Sequence, residues 1–201
     1  MKKFSTKSVL LFAAAVALCA FAMPSMAGAV GWDPVGTEHT LDSSNVGFHS
    51  TTAAGTITSQ CTASSFTTNV ASSANLEITA ATFGGDCTLL VNQGAGNLTC
   101  TATSTALGLP WTATSAGGTT NIQIHGITIT IRVDQSSVGN CPLVGADIHI
   151  TGTLSGGVFN NTTHVLELAN ATGLTGVSPV GSNPAFAKGT FTDTQNTLSA
   201  T

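Results

Sequence analysis

Ile122 and Ile124 are in phase with each other, and Ile127, Ile129, Ile131 and Val133 are in phase one residue off that first set. Apolar residues at every second position mark a strand with one buried face, because successive side chains of extended chain point to opposite sides. A two-residue turn at His125-Gly126 accounts for the change of phase. It would set Ile124 beside Ile127 and Ile122 beside Ile129 on one buried face. Gly126 supplies the positive φ that such a turn needs. A bulge within one long strand is the rival account.

The same two-residue period recurs along the chain, and no 3.6-residue apolar period survives beyond the first 30 residues. Ile57 and Cys61 share a face. Leu76, Ile78 and Ala80 face one way, then the phase slips near Ala81 so that Phe83 turns inward, which reads as a bulge. Residues 98–105 and 111–115 are further strand candidates. Residues 147–159 form a long strand interrupted at Gly156-Gly157, Asn160-Asn161-Thr162-Thr163 makes a turn, and residues 164–170 return with Leu166 and Leu168 inward. Residues 173–177 and 185–192 add two more, while residues 91–96 and 177–184 read as loops. The expected fold is all-β, an antiparallel β-sandwich or β-barrel-like roll. Less than a tenth of residues 30–201 should be helical, and the first twenty and last ten of them should be loosely held.

Residues 1–29 have the layout of a secretory signal peptide. Lys2 and Lys3 form a positive start, and residues 8–23 form an apolar run too short to span a bilayer. Ala27-Gly28-Ala29 offers a cleavage site that leaves Val30 as the first mature residue. Ser25-Met26-Ala27 is a second site. A lipoprotein reading fails at Cys19, which lies within the apolar run behind Leu18. The chain therefore divides into a leader, residues 1–29, and one exported all-β domain, residues 30–201. Its place is outside the cell or in the periplasm, and after processing no segment spans a membrane.

Charge narrows the function. Of 201 residues only 7% are charged, against roughly 25% in ordinary chains. Arg132 and Lys188 are the only strong cations beyond residue 29. They face nine carboxylates, for a net charge of −7 with His neutral. Two cations cannot neutralise a run of phosphates, so nucleic acid is excluded as a partner. A hydrophobic content of 42% and a mean hydropathy of +0.32 separate the chain from disordered sequences.

No catalytic, cofactor-binding or metal-ligating residue is nominated. There is no G-x-S-x-G, no phosphate-binding glycine loop, no H-E-x-x-H and no pairing of carboxylates. Asp147 and His149 share a strand face, with His164 on the neighbouring strand, but His164 is in phase with Leu166 and Leu168 and so faces the other way. Trp111 is read as a packing residue. The sequons at Asn97, Asn161 and Asn170 carry no assignment in a chain so rich in Thr. Cys61, Cys87, Cys100 and Cys141 remain after leader removal. An even count in an exported chain reads as two disulfides, with three pairings open. Cys87 and Cys100 flank a loop symmetrically, so one option joins them and leaves Cys61 for Cys141.

Several segments in order, Pro34-Val35-Gly36, Cys61-Thr62-Ala63, residues 78–83 leading to Cys87-Thr88-Leu89, Gly108-Leu109-Pro110-Trp111, the isoleucine segment, Cys141 and residues 159–163, resemble the secreted PraB-type family, the protein activator of alkane oxidation. The resemblance runs from about Asp33 to about Gly176. It implies an extracellular protein without catalysis that aids use of hydrophobic substrates or attachment in biofilms. Its partner would be a hydrophobic surface or a cell-surface or matrix component, and self-association is compatible with it. The family-like segment favours Cys61 with Cys87 and Cys100 with Cys141. A family cysteine expected after the Asn-Asn turn is absent at residues 171–176, and Cys100 is extra, so no functional residue is carried over. The alternative is an extracellular small-ligand or carbohydrate-binding module. A large apolar patch or an open sheet edge would favour surface contact. A concave pocket of converging polar groups would favour the binding module, and clustered groups with displaced pKa values would favour an enzyme.

Overall fold

The computed structural model describes residues 31–52, 55–92, 97–115, 120–138, 141, 143–179 and 181–201. The leader and its cleavage site lie outside the described residues, as does most of the loop expected at residues 91–96. The described chain is all-β, with strands β1 (Trp32–Asp33), β2 (Glu38–Ser43), β3 (Val46–Thr52), β4 (Gly55–Cys61), β5 (Ala63–Ser72), β6 (Asn75–Asn92), β7 (Asn97–Leu107), β8 (Trp111–Ser115), β9 (Asn121–Val138), β10 (Asp147–Asn160), β11 (Val165–Ser178), β12 (Gly181–Asp193) and β13 (Ser199–Ala200).

Eight staves make the wall, and each pairs antiparallel with the next. β2 and β3 form one broken stave, β4 and β5 the second, β6 the third, and β7 with β8 the fourth; β9 to β12 are single. β10 pairs with β11 and β11 with β12. β12 then pairs with both β2 and β3, so the sheet closes into a barrel. Following partners once around from Val165 passes Thr192, Asp42, Ser65, Thr82, Thr105, Thr130 and His149 and returns to β11 at Val177. That stagger is the shear a closed sheet requires, and an eight-stranded barrel has room inside for packed side chains or for one small ligand.

Most inward positions are apolar, as the two-residue period requires, with Ser59, Ser64, Thr68 and Ser104 among the small polar residues buried there. Phe66 stacks on Phe191 at 4.2 Å between ring centroids, and meets Trp111 and Phe83 edge-on. Trp111 is buried in this column, and so are Ile122, Ile124, Ile127 and Ile129 on their shared face. The hairpin expected at His125-Gly126 is overturned, because β9 runs unbroken through it. Ile127 pairs with Gly152 and Ile124 with Leu154, which leaves one extra residue on β9. Gly126 at φ 77° absorbs it. The bulge resets the phase as a turn would, without reversing the chain.

Other expectations are corrected by the same device. The slip in β6 falls at Thr79-Ala80, so Ala80 points outward. Gly156-Gly157 is an irregularity of pairing within an unbroken β10. Residues 173–177 continue β11 rather than forming a separate strand, and most of 177–184 is paired between β11 and β12. Neither end of the described chain is loose. β1 pairs with β13, and Gly31 and Thr201 exchange backbone hydrogen bonds of 2.6 Å. Trp32 Nε1 donates to the Ala113 carbonyl, and the ring packs edge-on against Phe159. Asn161 completes the closure like a strand residue, donating to the Ala200 carbonyl and accepting from its N–H.

Cys61 is bonded to Cys87 and Cys100 to Cys141. The first bridge sits where three staves lose their ladder at one level: between β2 and β3, between β4 and β5, and in β6 between Phe83 and Cys87. The second ties the β9–β10 connection to the wall, and Leu143 is buried beside it. Cys87 and Cys100 do not face each other across the β6–β7 pair; Cys87 lies opposite Ala102 and Cys100 opposite Leu89.

Substitutions at two positions test this account. Phe66→Ala should lower unfolding free energy by about 3–5 kcal/mol in urea titration, with Phe66→Leu costing less. Gly126→Ala should cost about 1–2 kcal/mol, because an alanine Cβ is strained at that positive φ, whereas Gly126→Asn should cost less, since asparagine tolerates the left-handed region. Equal effects of Ala and Asn would remove the bulge from the explanation.

Candidate functional site

Among the described residues, two gaps inside the barrel measure ≈ 10 and ≈ 20 Å³, about the room of one water each. The larger depressions lie outside. The wall there is rich in Thr, Ser and Asn, and the exposed large apolar side chains Val35, Leu107, Val144, Val158 and Val177 are spread over separate strands and loops.

One depression of ≈ 460 Å³ gathers polar groups from four strands. Its floor is Gly47 on β3, paired with Lys188 on one side and Gln60 on the other. A glycine is required, since a Cβ there would lie 2.9 Å from the Ser59 carbonyl oxygen. A row that elsewhere carries side chains therefore has a gap. His49 stands in the next row, its Nδ1 3.0 Å from Thr58 Oγ1. Gln60 Nε2 donates to Asn45 Oδ1 at 2.8 Å. On the far side β11 bulges at Ala169-Asn170, with Asn170 at φ 58°, and this opens the groove beside Glu167. Partial burial and, secondarily, the Lys188 charge hold the His49 imidazole below its ordinary pKa, so it is neutral at pH 7. Lys188 and Glu167 make no ion pair among the described residues, whereas the other cation, Arg132, contacts Asp147 at 3.1 Å.

A second depression of ≈ 580 Å³ lies over the interrupted ladder, lined by Asp42, Ser43, Thr62, Ser64 and Thr82 among others. It is shallower in chemistry, with one carboxylate and hydroxyls.

His39 and Asp193 form a buried pair, Nδ1 to Oδ2 3.4 Å, at one end of the barrel. His39 Nε2 lies 2.8 Å from Thr37 Oγ1, which donates to the Pro34 carbonyl. Burial pushes the Asp193 carboxyl up, but hydrogen bonds from the Leu198, Thr197 and Gln195 amides, with His39 alongside, bring it below the usual carboxylate range. Neither side chain reaches solvent, so the pair organises the loop that carries Leu198 under the barrel.

The residues singled out from the sequence are dispersed. His149 is exposed and within 3.1 Å of Thr130, and Asp147 pairs with Arg132. His164 is at the opposite end of its hairpin, its Nδ1 2.9 Å from the Leu198 carbonyl oxygen. The four cysteines are structural. The groove residues had no sequence signal, since Asn45, Gly47, His49, Gln60, Glu167 and Lys188 meet only through strand register. Comparison with family models, curated proteins and solved structures found no match for the chain.

Because the Asp193 carboxyl is more acidic folded than unfolded, its stabilisation is present above the unfolded value near 3.9 and is lost as pH falls through the folded value. Asp193→Asn should cost about 3 kcal/mol at pH 7 by leaving buried donors and His39 without their partner. The gap between wild type and variant should narrow below about pH 4 in urea titrations. A gap independent of pH would contradict the assignment.

Proposed function

We propose that this is an exported protein without catalytic activity that attaches to a cell-surface or matrix component through the outside of its barrel, and so aids growth on hydrophobic substrates or in biofilms. The observation that carries the reading is the filled interior beneath a sparsely charged, hydroxyl-rich wall: contact is made from outside. Two buried disulfides fit an oxidising, extracytoplasmic setting. The resemblance to the secreted PraB-type family supports the same setting. The main sheet has no open edge among the described residues, and apolar exposure is scattered, so a polar matrix component suits the wall better than direct contact with alkane. A second reading, a soluble carbohydrate or small-ligand module, draws on the groove around Gly47.

Fractionation should find the protein outside the cytoplasm. Purified exported protein should adsorb to cells or matrix with far weaker salt dependence than a basic, polyanion-binding protein shows, because two cations give little electrostatic anchoring. Deleting the gene should weaken biofilm or slow growth on an alkane, with growth on soluble carbon unchanged. Protein that binds neither cells nor matrix, with a deletion strain indistinguishable from wild type, would leave the soluble binding module as the reading.

A further inference from the structure

We infer that the groove floored by Gly47 is a saccharide subsite that recognises a uronate, a sugar ring carrying a carboxylate, with Lys188 holding the carboxylate and Glu167 accepting hydroxyl hydrogens. This rests on the attachment reading and names the chemistry at its contact point.

The charges make the case first. Lys188 is the one strong cation of the barrel without an acidic partner among the described residues, and it lines the same depression as the unpaired Glu167. Glu167 pairs with Thr190, two positions along β12 from Lys188. Diagonal neighbours of an antiparallel pair lie roughly 7–8 Å apart. Side chains as long as these can span that distance, yet the two form no ion pair among the described residues, which leaves both charged groups facing the groove for a ligand.

The remaining lining is neutral and, apart from Leu168, Ala169 and the glycines, carries hydrogen-bonding side chains. His49 has Nδ1 engaged with Thr58, and its Nε2 lies over Gly47. Gln60 uses one N–H on Asn45 and retains its other N–H and its carbonyl. A ligand rich in hydroxyls finds both donors and acceptors there. A hydrocarbon would find only Leu168 and Ala169. A phosphate would find no arginine fork, and a single ammonium. The volume falls in the range of small-ligand sites. With nine carboxylates on the barrel, general adhesion to a polyanion is opposed, so recognition must come from local pairing at Lys188.

The test is calorimetry on the exported protein with tetragalacturonate, monomeric galacturonate and neutral maltotetraose, in chelator. Tetragalacturonate should bind, and maltotetraose at least about tenfold more weakly. Lys188→Gln should weaken tetragalacturonate binding at least about tenfold with an unchanged thermal midpoint, and Arg132→Gln should leave it unchanged. Monomer binding as tight as the tetramer would make the ligand a free uronate rather than a polymer, with the same residues at work. Equal binding of the neutral tetramer, or binding insensitive to Lys188→Gln, overturns the inference. So does absence of binding by protein that still adheres to cells or matrix, in which case attachment stands through another surface. Loss of both removes the attachment reading as well.

Discussion

Closure of the sheet depends on the hydrogen bonds of β12, which pairs with β11 on one side and with β2 and β3 on the other. Without them the chain would present two long unpaired edges, each a template for another strand. Glycine makes that closure tight. A Cβ at Gly189 would lie 2.7 Å from the Asn45 carbonyl oxygen, so β12 can approach the first stave only with hydrogen at that position. Once closed, the barrel has a fixed bore, and inward residues must fill it to the density of an ordinary core. The aromatic column of Phe66, Phe191, Phe83 and Trp111 does this at mid-height.

Long staves of a strongly sheared barrel do not stay regular, and register shifts recur along most of the strand pairs. β9 takes an extra residue at Gly126 opposite Gly152, β11 departs from register after Leu168, and three adjacent staves break at the level of the Cys61–Cys87 bridge. Each bulge keeps apolar residues inward while the strand bends. Each also disturbs the outer wall. Of the two larger depressions outside, one lies beside the β11 bulge and the other over the broken staves. The candidate site is thus a by-product of the stagger that closes the barrel, furnished with the few charged groups the chain has.

The ends are secured differently from the wall. The chain termini of the described barrel meet in a two-stranded pairing, and Trp32 and Leu198 fill the opening beneath the core. Asp193 holds the turn that makes this reach available by accepting three backbone N–H bonds. A charge buried in so apolar a chain is tolerable because amide dipoles and His39 replace its water.

The alternation of Ile, Val, Leu and Phe with Thr and Ser determined that the chain would be all-β with one buried face, and it placed Ile122, Ile124, Ile127 and Ile129 together by phase alone. Phase could do this because side-chain direction has a period of two whatever the partner strand is. It could not separate turn from bulge at His125-Gly126, since both shift the phase by one residue; only the pairing of β9 with β10 decided it. Nor could local pattern show that Trp32 and Leu198, so far apart in the chain, close one end of the barrel. The groove was invisible for the same reason. Lys188, Gly47 and Gln60 become neighbours through two strand registers, and register is set by the shear of the closed sheet, a property of all eight staves together.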